Sequence, residues 1–456
     1  MIVKNKYNGE TIAELEDTTL EKAKEIKRLS VESSRKMKSL LPYEREEILL
    51  EISRKIRDDN GKLAKIIAQE AGKPVRYSRK EAGRAATTFK IAAEESTRAD
   101  GEVIPLGIEP RGRNRFAYYV REPIGVVFSI TPFNDPLNLV AHKIAPALAS
   151  GNAIINKPSS LTPLSCLNVL SYAEDTSLPK NSVAAVLASG GGAVTDFLVT
   201  SPDIKMVSFT GGFEAAQRLV QKAGVKKYGM ELGSNSPVIV WGDADLDLAA
   251  EAVCDAAFES QGQNCIHAQR IFIQRESYDY FKNRLIGFTE KLVIGDPLLE
   301  ETDVGPMISK GSADRVMKLI EDAVGDGANV LHGFQRNGNL VTPTILENVK
   351  HSSEIWTEEI FGPVVLLEPV DSFKKAIELA NSVEYGLQAG VFTSDLNLAL
   401  MAIENLEYGA VLINDTSDFR VDSMPFGGFK RSGIGREGIR FSMEEMSEIK
   451  LAIFKR

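Results

Sequence analysis

From about residue 116 onward, short apolar runs alternate with helix-period segments, and this alternation narrows the possible folds more than any other feature of the chain. The runs at 116–120, 125–130, 153–156, 184–187, 206–209, 237–241, 270–274, 364–369, 389–392 and 410–413 are short and mostly β-rich. Strands separated by helices need crossover connections, so the pattern predicts an α/β protein with largely parallel sheets. Upstream the style differs. Asn8-Gly9 predicts a two-residue hairpin turn, and Thr18-Thr-Leu-Glu21 reads as a capping box before a long amphipathic helix. Pro42 restarts the helical pattern and Asn60-Gly61 breaks it, so 10–100 is expected to be mostly helical and surface-like.

Composition excludes several classes. A net charge of −9 over 456 residues argues against nucleic acid as a partner. No apolar run approaches the ~18–20 residues of a membrane span, and the opening MIVKNKYNGE lacks the apolar stretch of a signal peptide. Three cysteines with no CxxC pair fit a reducing compartment, so a cytoplasmic location is expected. Four histidines show no metal-ligand spacing, and no metal is expected. The length suggests two to four domains, with no internal repeat to mark their edges.

Some motifs carry chemistry and one imitates it. Gly433-Ile-Gly435-Arg-Glu-Gly438 matches the dinucleotide fingerprint letter for letter. Only 18 residues follow it, too few for the helix, second strand and acidic residue that the βαβ unit requires, so it reads as a glycine-rich turn. A lone cysteine is ordinarily a small buried hydrophobe, and Cys166 and Cys254 keep that reading in their apolar helical settings. Cys265 follows Gln261-Gly-Gln-Asn264, a polar, flexible approach that exposes the thiol to backbone N–H groups and suits a nucleophile. Glu231, in Met230-Glu-Leu-Gly-Ser-Asn-Ser-Pro237, is either a solvated surface charge or a desolvated base in a tight turn at a cleft.

Together with Thr131-Pro-Phe-Asn-Asp-Pro136, Asn156-Lys-Pro-Ser159, Ser208-Phe-Thr-Gly-Gly212, Glu358-Glu-Ile-Phe-Gly-Pro363 and Pro425-Phe-Gly-Gly-Phe-Lys430, these segments resemble the aldehyde dehydrogenase superfamily over nearly the whole chain. The separation of Glu231 from Cys265 equals the family's glutamate-to-cysteine spacing. The resemblance implies an NAD(P)-dependent enzyme in which Cys265 attacks the aldehyde and Asn134, with the Cys265 backbone N–H, holds the oxyanion. One such donor is worth about 3–4 kcal/mol in related chemistry. Hydride transfer then leaves a thioester, which water activated by Glu231 hydrolyses. Members that pass the acyl group to coenzyme A typically lack this base, so free acid is the expected product. The resemblance also assigns a cofactor cleft: Thr131, Pro132 and Phe133 line it, and Lys157 approaches the adenosine ribose. Gly191, Thr210 and Gly212 lie along the pyrophosphate and adenine, and Glu359 and Phe361 meet the nicotinamide ribose. Ser160 stands where the family often has a ribose-binding glutamate, and Gly212 where serine is common. Losing that carboxylate removes repulsion against a 2′-phosphate, so NAD or NADP is expected, with NADP at least tolerated.

The substrate tunnel implied by the resemblance brings in Asn138 and His142, which share a helix face at i, i+4, Asn264 beside the nucleophile, and Arg420 in the loop at the tunnel mouth. His142 alone is equally a satisfied core histidine, and Arg420 a surface arginine paired with Asp418 or Asp422. As a group they would cradle hydroxyl, carboxylate, sulfonate or phosphate oxygens. The pattern is similar to the lactaldehyde, sulfolactaldehyde and phosphonoacetaldehyde branch. Asn264 speaks against the last, whose enzymes can carry arginine there. Lactaldehyde or sulfolactaldehyde is the expected substrate. Phosphonoacetaldehyde, glyceraldehyde 3-phosphate (without phosphorylation) and succinic semialdehyde are alternatives, as is a non-catalytic member of the fold. The expected architecture is a cofactor-binding α/β domain (1–103 and 124–232), a catalytic α/β domain (233–433) and a β-flap (104–123, with 434–456). The flap would pair subunits into a homodimer or homotetramer.

Overall fold

Strands whose residues are apolar at every position need cover on both faces, and the chain supplies it twice. In the computed structural model, which describes residues 1–98, 101–189 and 192–456, a six-stranded sheet runs in the order Gly433–Ile434, Lys227–Glu231, Ile204–Thr210, Val126–Ile130, Ala153–Lys157, Val183–Ala185. Its strands are parallel except the first, which pairs antiparallel with Lys227–Glu231. Val127, Phe128, Ile154, Ile155 and Val207 are fully buried at its centre. A seven-stranded sheet follows the order Asn329–His332, Thr344–Glu347, Val364–Val370, Ala268–Gln274, Ser236–Val240, Gln388–Phe392, Ala410–Ile413, with only Asn329–His332 antiparallel. The α/β expectation holds. The alternation did not reveal Lys227–Glu231, because its glycine and charges break the apolar run, nor the polar-edged Asn329–His332 and Thr344–Glu347.

The helices Leu20–Ser39, Pro42–Asp58, Asn60–Ala71 and Val75–Ser96 occupy the N-terminal region. Leu20–Ser39 is largely exposed as expected, but Val75–Ser96 is not surface-like: it buries Ala82, Ala85, Ala86, Phe89, Ala92 and Ala93. The break expected at Asn60-Gly61 falls at Asp59, which caps the helices on both sides, and Asn60 opens the second of them. Two local expectations shift. The hairpin Ile2–Lys4/Thr11–Glu14 closes through a six-residue loop, because Lys4 pairs with Thr11. The first long helix is capped by Thr19, whose hydroxyl accepts from Lys22 N at 3.1 Å. Thr18 instead accepts from Leu187 N at 2.9 Å, docking the helix start on the first sheet's edge.

A third, antiparallel sheet holds Ser447–Lys455, Arg115–Pro123 and Glu102–Ile104 in that order. Ser447–Lys455 matches Arg115–Pro123 over nine residue pairs and leaves its other edge unpaired among the described residues. The glycine-rich decoy forms the short strand Gly433–Ile434 and a turn into the helix Ile439–Glu445, with no parallel strand after it. No helix among the described residues is long and apolar enough to cross a membrane.

Candidate active site

Parallel strands deliver their C-terminal ends to one edge, the usual ligand crevice of such sheets. Register places Thr210 beside Glu231, Phe209 beside Ile130, and Ile130 beside Lys157. Thr131 continues the row, with its N–H on Lys157 O at 3.1 Å. Phe133 lies edge-on to Phe361 from the other sheet's territory, ring centroids 5.7 Å apart. Thus Thr131, Lys157 and Thr210 meet at the C-terminal edge of this sheet, with Pro132 and Phe133 following Thr131 in the chain and Phe361 against Phe133. Gly191 lies outside the described residues. Gly212 caps the helix Phe213–Ala223, and Ser160 sits half-buried just past Lys157.

Three features fit this cleft to a dinucleotide. The Thr210 hydroxyl is buried without a hydrogen-bond partner. Lys157 is buried, makes no ion pair among the described residues, and its ammonium is pulled below the usual range by desolvation. Glu359 accepts from Ser234 N at 2.9 Å, and burial raises its carboxyl to about 7. A Cβ on Gly233 would come 2.7 Å from Glu359 Oε2, so glycine is required for that approach.

Cys265 follows a segment that is pinned rather than flexible. Ser260, Gln261 and Gly262 all take left-handed φ (52°, 58° and 62°). The buried Gln261 amide donates to Gly72 O and, at 2.9 Å, to Pro306 O. Gln263 accepts from Ile308 N at 3.1 Å. A Cβ on Gly262 would lie 2.2 Å from Gly362 O, so the loop packs directly on the Glu358–Pro363 motif. The thiol packs with Ile266, Leu387, Phe426 and Met424 and is half-buried. Burial holds its pKa above the ordinary thiol value, Arg420 opposes that shift, and Glu359, Glu231 and Asp135 add to it. The resting thiol is therefore protonated and needs a base.

Glu231 is the candidate for that base. It is buried at the end of its strand, and its Oε2 has no hydrogen-bond partner. Desolvation, then the neighbouring Glu437 carboxylate, hold its pKa well above the carboxylate range, against Lys143, Arg420 and Arg436. Gly427 keeps the space open: a Cβ there would lie 3.2 Å from Glu231 Oε1. Asn134 stands half-exposed four residues past the end of the first sheet's central strand, and its side chain makes no hydrogen bond within the described residues.

Glu437 and Lys143 are the residues that sequence reasoning missed. Lys143 pairs with Glu437, which also accepts from Arg420 Nη2 at 3.1 Å. Burial would raise the Glu437 carboxyl, but Lys143 and Arg420 hold it at about 2. A signal was available: the segment 138–149 is apolar on all sides, so a lysine within it must find a buried partner.

The tunnel residues meet, though with different partners from those expected. Asn138 Nδ2 and His142 Nε2 both reach Asp422 Oδ1, at 3.2 and 2.9 Å, and Arg84 Nη2 reaches the same oxygen at 2.9 Å. They support a buried carboxylate, held well below the usual range, rather than presenting free polar atoms. Asn264 donates to Asp418, so its amide is also engaged. Arg420 pairs with neither Asp418 nor Asp422. It lies over the Phe426 ring, 3.7 Å from its centroid, bonded to Glu437, with its Nε unpartnered. Asp135 binds Lys73 and lies 3.8 Å from Arg84. Arg84, Asp135 and Asp418 thus join the residues foreseen. No cluster of potential metal ligands occurs among the described residues.

The family follows from comparison with known proteins: the profile of the Aldehyde dehydrogenase family matches residues 1–452. This chain belongs to the aldehyde dehydrogenase family. It is 42% identical to aspartate-semialdehyde dehydrogenase 1 of Pseudomonas canavaninivorans, covering 98% of this chain and 95% of that protein. It is 40% identical to the 3-sulfolactaldehyde dehydrogenase of Priestia aryabhattai, covering 99% and 94%. It is 41% identical to the lactaldehyde dehydrogenase of Methanocaldococcus jannaschii, covering 100% and 97%. The crystal structure of glyceraldehyde-3-phosphate dehydrogenase GapN from the same organism, complexed with NADP, superposes with a TM-score of 0.96 at 40% identity, covering 100% and 99%. The protein is an NAD(P)-dependent oxidoreductase acting on aldehydes.

Proposed function

We propose that this aldehyde dehydrogenase oxidises a short hydroxylated or anionic aldehyde, lactaldehyde or sulfolactaldehyde first, to its free acid. The observation that carries the reaction class is the buried Glu231 carboxylate, with one oxygen unpartnered and a pKa held high. It accepts a proton where a solvated glutamate would not. Cys265 Sγ adds to the carbonyl carbon, its proton leaving to Glu231, and Asn134 Nδ2 donates to the resulting oxyanion. Bound NAD(P)⁺ supplies the hydride acceptor. Hydride loss leaves a thioester on Cys265. Glu231 releases that first proton to solvent, then takes one from water, whose oxygen bonds the acyl carbon as the C–S bond breaks, and passes it to the departing Cys265 Sγ. The net change is aldehyde, water and NAD(P)⁺ to acid, NAD(P)H and a proton.

The substrate assignment draws on the relatives' names and on the tunnel's chemistry. Arg84 and Arg420 offer guanidinium N–H groups to a sulfonate or carboxylate, and the Asp418–Asn264 pair offers acceptor and donor atoms to a hydroxyl. Both arginines already face carboxylates, which suits a monoanion or a neutral hydroxyaldehyde better than a phosphate dianion. Initial rates of NADH and NADPH formation test this on lactaldehyde, sulfolactaldehyde, glyceraldehyde 3-phosphate, phosphonoacetaldehyde, succinic semialdehyde, aspartate semialdehyde and propanal. One short polar aldehyde should stand at least about tenfold above propanal, an energy difference of about 1.4 kcal/mol. Arg420→Ala should hurt an anionic substrate far more than propanal; equal losses would sink the assignment. Similar kcat/KM for NAD and NADP is expected from Ser160.

The subunit is proposed to pair with a second copy through Ser447–Lys455. Beside its unpaired backbone edge, one face of this strand carries Ile449, Leu451 and Ile453, each about half exposed. An unpaired edge this apolar is a pairing surface.

A further inference from the structure

Arg270 lies five residues past Cys265 and is fully buried, yet no carboxylate pairs with it among the described residues. Replacing a buried ion by an apolar residue of similar volume is often neutral or stabilising, so core filling alone does not account for a guanidinium here. Its hydrogen bonds form two sets. Nη1 and Nη2 donate to Leu379 O and Ala380 O, at 2.9 and 3.0 Å, at the carbonyl end of the helix Phe373–Asn381. That end carries partial negative charge, and it takes the place of a counter-ion. Nη2 also reaches the Tyr408 hydroxyl at 3.3 Å. The second set goes to one residue: Nε donates to Asn235 Oδ1 at 2.6 Å, and Nη2 to Asn235 O at 3.1 Å.

Asn235 passes that constraint on. Its Nδ2 donates to Trp356 O at 2.8 Å and to Glu358 O at 3.1 Å. With Oδ1 fixed by Arg270, the amide has a single orientation, and it holds the chain on both sides of residue 357. Gln269, next to Arg270, clasps the same segment: its Nε2 donates to Glu358 O at 2.8 Å, and its Oε1 accepts from Ile360 N at 3.0 Å. The residue enclosed by these bonds is Glu359, whose carboxylate crosses to Ser234 N. Phe361, two residues on, is held at a strained φ of 50°.

We infer that Arg270 and Asn235 are positioning residues that fix Glu359 against the cofactor cleft from behind. This rests on the proposed reading of Glu359 as a contact to the nicotinamide ribose. The guanidinium anchors on a helix end, the asparagine amide transmits its orientation, and the 356–360 backbone presents the carboxylate. Without the relay Glu359 samples positions that no longer meet the ribose, and a misplacement near 1 Å is enough to be felt kinetically.

The experiment measures KM for NAD⁺ and NADP⁺, KM for the aldehyde, kcat and the melting temperature. The proteins are wild type, Asn235→Ala, Arg270→Lys, Glu359→Gln and the double variant Asn235→Ala/Glu359→Gln. Asn235→Ala and Arg270→Lys should raise the nucleotide KM about tenfold and leave the aldehyde KM within about twofold. The double variant should be no worse than Glu359→Gln alone, because coupled residues are not additive. Arg270→Lys retains the charge but loses the fork, so it probes geometry even if Asn235→Ala folds poorly. Lowered melting temperature with unchanged kinetic constants would overturn the relay, as would multiplicative losses in the double variant. A neutral Glu359→Gln would overturn the reading of Glu359 and the relay with it. A strong Glu359→Gln effect beside silent Asn235→Ala and Arg270→Lys would overturn the relay alone.

Discussion

At the scale of single residues, the site is governed by how carboxylates are divided between paired and unpaired states. Glu437 has two cationic partners and is held strongly acidic, whereas Glu231 has an oxygen without a partner and is held weakly acidic. Two acids so close differ because Lys143 and Arg420 bond one of them and not the other. The sign of the pH dependence follows. Glu231 must be ionised to accept a proton, and its pKa is raised, so kcat should climb with pH through a value above the ordinary glutamate range and then level. Glu231→Gln should remove that limb and lower turnover by about 10²–10⁴-fold. A rapid first burst of NAD(P)H in stopped-flow, followed by slow turnover, would locate the loss at thioester hydrolysis. Loss of the burst as well would place Glu231 earlier, at thiol deprotonation. The family resemblance singled out Glu231, Asn134 and Cys265 through their motifs and the 231-to-265 spacing. It did not expose the partners of Asn138, His142 and Arg420, since Asp422, Arg84 and Glu437 come from distant segments with no local pattern.

At the scale of elements, the turn that carries the nucleophile depends on bare backbone. Three successive left-handed residues and a glycine lodged on Gly362 O fix it. Gly262→Ala should destabilise the protein by about 1–3 kcal/mol through contact and strain, with activity lost beyond what the melting curve explains. Gly61 offers the comparison. It sits inside the helix Asn60–Ala71, and a Cβ added there would meet nothing within 4 Å, so Gly61→Ala should stabilise by about 0.5–1 kcal/mol and leave kcat unchanged. Urea denaturation of both variants reads the contrast, and equal effects of one sign would refute it. The strands most readily read from sequence were those buried on both faces, such as Val126–Ile130. Lys227–Glu231 carries the proposed general base but reads as a turn, because its stability comes from pairing on both sides rather than from its own composition. The capping threonine slipped by one residue for a similar reason: Thr18 is drawn off by Leu187, a contact outside its own segment.

At the scale of the whole molecule, the antiparallel sheet of Ser447–Lys455, Arg115–Pro123 and Glu102–Ile104 stands apart in purpose from the two parallel ones. It contributes none of the proposed catalytic groups and exposes an apolar edge. Replacing Ile449 and Leu451 together by aspartate should shift sedimentation velocity toward smaller species while the far-ultraviolet circular dichroism stays native; an unchanged sedimentation coefficient would remove this edge as the pairing surface. The alternation of this last strand went unread in the sequence, where 434–456 joined the flap only through the family resemblance, and its free edge depends on sheet order. The same topology bears on how a ribosome can deliver this protein. Lys227–Glu231 waits for Gly433–Ile434 to complete its sheet, and Glu231 waits for Glu437, some two hundred residues later in the chain. Nascent chains released before that point would carry Cys265 and Glu231 but lack the neighbour that raises the Glu231 pKa. The site is thus assembled only once a segment some two hundred residues beyond Glu231 has joined it, rather than domain by domain.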